Sequence, residues 1–476
     1  MTSRRAHEDV SNRAGEHPPP FDPWAWTQAY AQTWAAGLDP KNTGRALRER
    51  RLADLIDATL RGSPFYRRRV GSGARRLADF APVSKPELMH EFDHWATDRR
   101  ITRAGVDAFI ADPACVAQSW LGDYLVWTSS GTSGHCGVFV QDRASLAAYD
   151  ALDALRLRGA GGNPMALGLW GIGRSFAFVG ATGGHFAGNV NFERLRRVVP
   201  ALLAPTTQVI SVLEPVERIA ERLSTIQPDV LITYPSCAIA LANLQTQGGP
   251  RIAPAEIWLG GEQLSGAQRQ SIEAALGGRV RNAYGASEFF SIAFECAQGR
   301  LHLNDDWVIL EALDSELRPV PCGVLSSITL LTNLANRTQP LVRYVLDDQI
   351  RYDPERCACG CAFPVIEVCG RADDTLHLAG RNGSQVAILP LALETAIEEA
   401  TGVTRFQVVC NADGQLELRL EPTVPGRAAT GEACRVSITA FLDRHAVADI
   451  SIALSKRAPV RQPGSGKLRR VISGGP

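Results

Sequence analysis

Short apolar runs alternate with helical patterns between about residues 120 and 310 of this chain. The runs have the length of buried strands, and the stretches between them, such as 144–157 and 265–276, have helical spacing. The strand candidates are residues 166–170, 208–212, 230–233 and 257–259. Because helices that connect consecutive strands produce parallel sheets, the pattern predicts an α/β fold, with a large N-terminal domain of mostly parallel sheets flanked by helices.

Glycine-rich stretches follow several of these runs, and the carboxyl ends of parallel strands are where such folds bind ligands. The stretches lie at residues 129–134, 183–188, 260–261 and 284–288. The first follows the apolar residues 124–127 and consists of Ser129, Ser130, Gly131, Thr132, Ser133 and Gly134. Its backbone N–H groups and hydroxyls suit a phosphate group, although such a stretch taken alone is more typical of a solvated turn.

This stretch is not a P-loop of the Gly-x-x-x-x-Gly-Lys-Ser/Thr type. The chain has a Gly466-Lys467 pair near its C-terminus, but Leu468 follows it and Arg461 stands where the first glycine should be. Any nucleotide must therefore be bound by another architecture.

The composition is that of an ordinary globular protein. The 476 residues are 45% hydrophobic and 21% charged, with 50 Lys and Arg against 50 Asp and Glu. This length suggests two or three subdomains, and the balanced charge gives no reason to expect a nucleic-acid partner. No apolar run reaches the ~18 residues of a membrane span. Eleven cysteines without an apolar leader favour reduced thiols or a metal over disulfides, so we expect a cytoplasmic protein.

The N-terminal part of the chain is predicted to consist of a disordered tail and a helical region. Residues 1–20, which end in three prolines, are expected to be a disordered tail, and residues 21–70 are expected to be helical. Further on, Ser84, Pro86 and Glu87 have the pattern of a helix N-terminus with a capping box. We interpret Ser84-Lys85 as that cap alone.

The character of the chain changes again after Gly370. A β-hairpin is predicted over residues 404–420 around an Asp413-Gly414 turn, followed by a helix at 433–445 and a strand at 450–454. We therefore predict a small α+β C-terminal domain over residues 371–476, which follows an N-terminal domain over residues 21–370.

Six short motifs occur in order along the chain. They are Ser-Ser-Gly-Thr-Ser-Gly at 129–134, Gly260-Gly261-Glu262, Tyr284-Gly285-Ala286-Ser287-Glu288, Arg343-Tyr344 with Asp348, Gly370-Arg371-Ala372-Asp373-Asp374, and Gly464-Ser465-Gly466-Lys467. This set resembles the adenylate-forming superfamily of acyl-CoA synthetases, nonribosomal adenylation domains and luciferases. The features similar to its phenylacetate–CoA ligase branch are Ser63-Pro64-Phe65-Tyr66 with Ser84-Lys85, Arg343-Tyr344, and Cys357-Ala358-Cys359. The resemblance extends over roughly residues 45–470.

The resemblance implies a ligase. Such an enzyme activates a small carboxylic acid with ATP as an acyl-adenylate, releases pyrophosphate, and transfers the acyl group to a thiol such as CoA. It also implies Mg²⁺ as a cofactor and a mobile C-terminal domain. Other acceptors stay open, namely a carrier-protein thiol, an amine or a small nucleophile such as nitrite, and so does a non-catalytic nucleotide-binding homologue. The acid and the oligomeric state are also open, with a homodimer as one option.

The resemblance further implies roles for individual residues. Tyr284 is expected near adenine and Ser287 at the α-phosphate. Glu288 is expected to bind Mg²⁺, and Asp348 to accept both ribose hydroxyls, which two carboxylate oxygens can do. Lys467 is expected to bridge the substrate carboxylate and the α-phosphate in catalysis. The remaining expected residues are Gly261, Glu262, Gly285 and Arg371 in the nucleotide site and Asp373 at the hinge of the C-terminal domain.

The phosphate loop departs from the family pattern. Loops of this family usually end in Pro-Lys or a similar pair, whereas this chain has His135-Cys136-Gly137. The lysine charge is therefore absent from the loop. We expect His135 to be a solvated loop residue rather than a replacement for that charge.

An acid pocket is expected from segments that resemble the pocket-lining segments of the family. Its expected members are Gly184, His185, Phe186, Tyr234, Ser236 and Phe289. Their aromatic character favours an aromatic or other small planar acid. The alternative for His185 is a structural histidine whose ring is satisfied within the fold.

Three cysteines and one histidine form a candidate zinc site. Cys357 and Cys359 are tightly spaced, and Cys296 and His302 lie upstream. Thiolate and imidazole are ligands of tetrahedral structural zinc, so we predict Zn²⁺ on Cys296, His302, Cys357 and Cys359. Cys361 is a competing ligand, and the alternative is a set of reduced buried thiols.

Overall fold

The structure is a computed structural model that describes most of the chain. The described residues are 18–70, 73, 76–129, 136–157, 174–198, 207–262, 264–346, 348–369, 376–388, 390–403, 406–411, 414–422, 424, 426–460 and 469–473. The strand candidate at 166–170 and residues 1–17 of the expected tail lie outside them. Pro19 and Pro20, at the end of that expected tail, are buried.

The region that follows is helical, as predicted for residues 21–70. Its helices are α1 (Pro23–Leu38), α2 (Arg45–Gly62), α3 (Pro64–Val70), α4 (Lys85–His90), α5 (Phe92–Trp95) and α6 (Arg103–Ile110). Helix α1 begins where the Asp22 carboxylate accepts hydrogen bonds from two backbone N–H groups of the first turn. The predicted capping box at α4 is wrong, because the Ser84 side chain makes no cap hydrogen bond and Glu87 pairs with Arg69.

A hairpin and a helix lead from this region into the large sheet. Strands β1 (Leu125–Thr128) and β2 (Val138–Gln141) are antiparallel and bracket the glycine-rich stretch at 129–134. Helix α7 (Arg143–Leu152) follows and continues as a π-helical turn, Asp153–Leu157. Both strands are buried except at Thr128, so the two ends of the glycine-rich stretch are anchored in the core.

Five parallel strands form one part of a nine-stranded sheet, as the alternating pattern predicted. The strands are β3 (Phe176–Gly180), β4 (Thr207–Ser211), β5 (Val230–Thr233), β6 (Glu256–Leu259) and β7 (Arg279–Ala286), and the helices between them are α8 (Ala187–Val198), α9 (Val216–Ile226), α10 (Pro235–Thr246) and α11 (Gly266–Leu276). Their order across the sheet is β7–β6–β5–β3–β4, and each neighbouring pair is parallel. The predicted α/β fold is therefore confirmed.

Antiparallel strands extend this sheet and form a smaller one. The chain continues through β8 (Phe289–Glu295), β9 (Leu301–Leu303), β10 (Val308–Leu313), β11 (Ile328–Asn333), β12 (Tyr344–Leu346), β13 (Gln349–Tyr352) and β14 (Val365–Cys369). Strands β8, β9, β14 and β13 follow β7 in the large sheet, whereas β10, β11 and β12 form a separate three-stranded sheet. The large sheet is therefore mixed, with a parallel part and an antiparallel part.

The C-terminal region is a small α+β unit, as predicted. Its elements are β15 (Leu376–Ala379), β16 (Gln385–Ile388), α12 (Pro390–Thr401), β17 (Phe406–Cys410), β18 (Leu416–Leu420), α13 (Arg427–Arg444), β19 (Ile452–Leu454) and β20 (Val471–Ser473). Strands β17 and β18 form the predicted hairpin, and Gly414 in its turn has a φ of +82°, which favours glycine. Asp413 lies outside the described residues, and α13 begins six residues earlier than the predicted helix at 433–445.

Two large clusters of buried side chains hold these regions together. The first joins the N-terminal helices to β1, β2 and the antiparallel strands, and it contains Trp95, Trp127 and Tyr344. The second runs from the outer parallel strands, at Ile210, into the C-terminal unit, at Phe406. In the described part of the chain, no helix is long and apolar enough to cross a membrane.

Candidate active site

Several predicted site residues lie at the carboxyl ends of the parallel strands. Tyr234 follows β5, Gly261 follows β6, and Tyr284 lies near the end of β7. Gly261 has a φ of +80°, and a Cβ atom there would lie 3.2 Å from the Tyr234 ring. At Gly285 a Cβ atom would lie 2.0 Å from the carbonyl oxygen of Phe290. Glycine at these two positions therefore allows close backbone packing at the edge where such sheets bind ligands.

Glu288 is a buried carboxylate at the turn between β7 and β8. The Tyr344 hydroxyl donates to Glu288 Oε1 over 2.6 Å, and Lys85 Nζ lies 3.4 Å from the same oxygen. The Asn333 side-chain amide donates to the Glu288 backbone carbonyl over 3.0 Å. The Tyr344 and Lys85 contacts compensate the carboxylate for the loss of water, and the Asn333 bond holds the backbone of Glu288 in place. A carboxylate oxygen is also the kind of ligand that Mg²⁺ prefers.

Helix α4 does begin at Lys85, but the interpretation of Ser84-Lys85 as a helix cap alone is wrong. The Lys85 side chain is only 10% exposed and pairs with Glu288. Val83 forms a parallel bridge with Tyr344 of β12, and this pairing brings the start of α4 to the site. Lysine is rarely buried unless it is paired, and this contact places one positive charge beside Glu288. The one sequence signal for it was the resemblance of Ser84-Lys85 to the phenylacetate–CoA ligase branch.

Tyr284 of β7 and Asp348, which directly precedes β13, come together. The Tyr284 hydroxyl donates to Asp348 Oδ2 over 3.0 Å. Burial, and then the neighbouring Asp348 carboxylate, raises the pKa of the Tyr284 phenol well above its ordinary value, so the phenol stays protonated and remains a donor. The two residues expected at adenine and at ribose are therefore neighbours in the structure.

The residues around the glycine-rich stretch also converge on this edge. Trp127 Nε1 of β1 donates to the backbone carbonyl of Ser287 over 2.8 Å. Ser129 Oγ accepts from the backbone N–H of Gly137 over 2.8 Å, and the Ser129 N–H donates to the Gly137 carbonyl over 2.9 Å. Ser129 and Gly137 are therefore bonded to each other, and Trp127, two residues before Ser129, contacts Ser287.

Several predicted residues lie outside the described part of the chain. They are Ser130, Gly131, Thr132, Ser133 and Gly134 of the glycine-rich stretch, His135, Arg371, the expected hinge residue Asp373, and Lys467. Their roles stay predictions.

Glu262 and Ser236 contact each other. One carboxylate oxygen of Glu262 accepts from the Ser236 N–H over 2.8 Å, and the other accepts from Ser236 Oγ over 2.9 Å. These bonds satisfy the first turn of α10, where a carboxylate also complements the helix dipole. Both side chains, expected at the nucleotide and in the acid pocket, are engaged in holding α10 against the loop after β6.

The residues expected in the acid pocket differ in exposure. Phe186 and Tyr234 are half-buried, as is Gly184, whereas Phe289 is fully buried in the core and lies edge-on to Tyr149, with ring centroids 5.2 Å apart. His185 is buried too: its Nδ1 lies 3.4 Å from the Val126 carbonyl oxygen, and burial lowers the pKa of its ring. His185 Nε2 is buried without a hydrogen-bond partner among the described residues, so the ring is only partly satisfied and its role stays a prediction. Phe186 and Tyr234 stay lining candidates.

The four predicted zinc ligands come together. One ligand atom from each of Cys296, His302, Cys357 and Cys359 lies within 4.8 Å of the others. His302 Nδ1 lies 2.9 Å from the Phe363 carbonyl oxygen, which leaves Nε2, 3.4 Å from Cys359 Sγ, directed at the thiols. Sulfur and imidazole donors in this number fit tetrahedral zinc, and the backbone contact to the second ring nitrogen is typical of a ligating histidine. Cys361 is not in the cluster.

Comparison with known proteins identifies similar ligases. No protein-family model matches the chain. The phenylacetate–coenzyme A ligase of Thermus thermophilus is 26% identical over 470 residues, which cover 91% of this chain and 97% of that protein.

Solved structures with a similar fold are also ligases. A structure of 2-hydroxyisobutyryl-CoA ligase, with the acyl-adenylate and CoA in the thioesterification state, has a TM-score of 0.57 at 21% identity and covers 90% of this chain and 89% of that one. An open conformation of that ligase has a TM-score of 0.54 at 20% identity and covers 90% and 91%. The resemblance stated from the motifs is confirmed.

Proposed function

We infer that this chain, which is similar in sequence and fold to the adenylate-forming ligases, is an AMP-forming acid–thiol ligase. The observation that carries the inference is the buried Lys85–Glu288–Tyr344 cluster beside Tyr284 and Asp348 at the carboxyl edge of the sheet. It combines a cation for phosphate, a carboxylate for Mg²⁺ and a carboxylate for ribose. The similarity to phenylacetate–coenzyme A ligase over most of both chains supports the same activity class.

The proposed reaction has two steps. In the first, a carboxylate oxygen of the acid attacks the α-phosphorus of ATP, the bond to the bridging oxygen breaks, and pyrophosphate leaves. In the second, the sulfur of CoA attacks the acyl carbon, AMP leaves, and the thiol proton is lost to solvent. A carboxylate alone is a poor acylating agent because its leaving group would be oxide, and adenylation replaces that group with AMP.

The site residues have distinct proposed roles in the first step. Asp348 accepts the ribose hydroxyls and Tyr284 contacts adenine, so the nucleotide is fixed at two points. Lys85 neutralises phosphate charge in place of the absent loop lysine, and Lys467 bridges the two reacting anions. Glu288 would hold Mg²⁺, which neutralises charge on the leaving pyrophosphate. Orientation and charge neutralisation are the main needs of a reaction between two anions.

The further residues expected at the nucleotide keep their proposed roles. Ser287 contacts the α-phosphate, the 129–134 stretch cradles the outer phosphates, and Arg371 adds positive charge.

We propose a small planar acid, with an aromatic acid as the first choice. The half-buried rings of Phe186 and Tyr234 beside the strand ends support this size and shape. CoA is the proposed acceptor, because the similar proteins are CoA ligases. A carrier-protein thiol, an amine and nitrite are the alternatives that the acceptor test has to separate.

We also propose a structural Zn²⁺ on Cys296, His302, Cys357 and Cys359. The convergence of four suitable donor atoms from two separate segments supports the proposal. The metal would tie the turn between β8 and β9 to the loop before β14.

The test is pyrophosphate release from ATP over a panel of acids that includes phenylacetate, benzoate and 2-hydroxyisobutyrate. We expect acid-dependent release that is lost in Lys467→Ala, and formation of the acyl-CoA when CoA is added. Nucleotide binding without release for any acid would contradict the ligase and favour the non-catalytic homologue. Release without thioester formation on CoA would contradict the proposed acceptor.

A further inference from the structure

Gln407 lies in the interior of the C-terminal unit and contacts both sides of the segment that carries Lys467. Its side chain is 0% exposed on β17. Gln407 Nε2 donates to the backbone carbonyl of Val460 over 3.1 Å and to that of Arg469 over 2.7 Å. Val460 and Arg469 are the described residues that flank segment 461–468. One buried amide therefore joins the two flanks.

These hydrogen bonds use all of the donors and acceptors of the Gln407 side-chain amide. Nε2 has two N–H groups, and each has a carbonyl acceptor. Oε1 accepts from the Val460 N–H over 3.1 Å and from Arg419 Nη1 over 3.2 Å. The amide orientation is settled by its partners, because a flipped side chain would set its NH₂ group against the Val460 and Arg419 donors and its oxygen against two carbonyl oxygens.

Arg470 anchors the carboxyl-terminal flank of the segment, next to Arg469. Arg470 is fully buried and forms ion pairs with Glu394 and Glu398 of α12. Its backbone carbonyl accepts from the Val408 N–H over 2.6 Å, one residue after Gln407. Strand β20 then continues in parallel with β17. The carboxyl-terminal flank is therefore held by two ion pairs and a strand, whereas the amino-terminal flank, at Val460, is held to it through Gln407.

We propose that Gln407 is a positioning residue for Lys467. The proposal rests on the proposed function, in which Lys467 bridges the acid carboxylate and the α-phosphate. Because one amide binds both Val460 and Arg469, it holds these two residues at a fixed separation, and on the proposal this restricts where Lys467 can be placed. Orientation matters at this step, because a misplacement of about 1 Å can cost about 100-fold in rate.

The experiment separates the two half-reactions in Gln407→Met and Gln407→Glu. Adenylation is measured as acid-dependent exchange of pyrophosphate into ATP, with the acid that is most active in the panel. Thioester formation is measured from the preformed acyl-adenylate and CoA. Met has a similar length but no hydrogen bonds, and Glu sets oxygen against two carbonyl oxygens.

A matched control is available in Gln245→Met. Gln245 also joins two backbone segments, since its Nε2 donates to the Ala275 carbonyl over 2.7 Å and its Oε1 accepts from the Ile252 N–H over 2.6 Å. It lies in α10, far along the chain from the C-terminal unit. A general loss of stability from removing such a bridge should appear in this control as well.

We expect adenylation to fall roughly 10- to 100-fold in both Gln407 variants, with thioester formation within about threefold of the wild type. Gln245→Met should change both half-reactions by the same factor. Equal losses in both half-reactions of the Gln407 variants, or no loss in either, would overturn the positioning role. A wild-type protein without exchange for any acid would instead overturn the proposed function itself.

Discussion

At the scale of single residues, the site depends on charges that the fold brings together. Lys85 lies in a short N-terminal helix and Glu288 in a turn of the large sheet, yet their charged atoms are 3.4 Å apart. The pair is buried, and Tyr344 binds the same carboxylate oxygen. Removing one partner of such a pair leaves the other without compensation, which makes both residues sensitive probes of the site.

We predict that Lys85→Gln raises the KM for ATP roughly 10- to 100-fold. The reason is the loss of one charge-assisted hydrogen bond to phosphate, which contributes about 1.5–3 kcal/mol. The KM for CoA should stay near the wild-type value. Lys41→Gln is the control, because Lys41 is exposed near the end of α1. An unchanged KM for ATP in Lys85→Gln would show that this lysine is structural only.

We predict that Tyr344→Phe raises the Mg²⁺ concentration needed for half-maximal adenylation. The change removes the hydroxyl that fixes Glu288 Oε1 at 2.6 Å and leaves the ring volume almost unchanged. Tyr352→Phe is the control, since that hydroxyl donates over 2.9 Å to the backbone carbonyl of Leu310. Tyr344→Phe should lose about 1.5–3 kcal/mol of unfolding free energy, because its bond is to a carboxylate, and Tyr352→Phe about 1 kcal/mol. A Mg²⁺ dependence that changes equally in both would contradict the role given to Tyr344.

At the scale of elements, the turn between β8 and β9 and the loop before β14 share the cysteine–histidine cluster. Strand β8 begins directly after Glu288, and β14 ends at Cys369, before the expected hinge. The cluster therefore lies between a strand that begins beside Glu288 and a strand that ends shortly before the expected hinge. A bound metal would restrict both, because four bonds would join segments that are otherwise held by short antiparallel pairings.

We predict one zinc ion per chain, with Cys357→Ser losing the metal and unfolding at a lower temperature. Cys322→Ser should keep both properties, because Cys322 is exposed and outside the cluster. Elemental analysis of purified protein and thermal unfolding with and without a chelator measure the two effects. Metal-free wild-type protein, purified without chelator, would favour the alternative of reduced buried thiols.

At the scale of the whole molecule, the C-terminal unit packs against the loop after β3. The second buried cluster crosses from the parallel strands into that unit. A Cβ atom on Gly183 would lie 2.0 Å from Glu399 Oε1 of α12, so the two regions are in close contact beside the expected acid pocket. A C-terminal unit that carries Lys467 and rotates about a hinge would have to break and remake such contacts.

We predict that Asp373→Pro retains one half-reaction and loses the other. Proline fixes φ near −65°, so a hinge at this position would be confined to one arrangement. Asp373→Ala is the control, because it removes the carboxylate without fixing φ. Pyrophosphate exchange and thioester formation from the preformed adenylate are measured separately. Survival of both half-reactions in Asp373→Pro would show that the hinge lies elsewhere.

The sequence was sufficient wherever a few neighbouring residues decide the outcome. The apolar runs at 230–233 and 257–259 became β5 and β6 because a buried parallel strand needs a short continuous apolar run. The hairpin of β17 and β18 follows from alternating apolar residues and a glycine turn. Cysteine and histidine have few other chemical roles in such a cluster, which is why the four zinc candidates could be named before their positions were known.

The tertiary structure alone decided which side chains meet across the chain. Whether Lys85 caps a helix or pairs with Glu288, whether Phe289 lines a pocket or packs on Tyr149, and which backbone groups Gln407 binds all depend on contacts between distant segments. Local patterns show only which residues are apolar and whether the apolar residues repeat with the period of a helix or of a strand. The partner of a buried charge is set by strand order and register, which arise from packing the whole core, and these contacts carry the proposed chemistry.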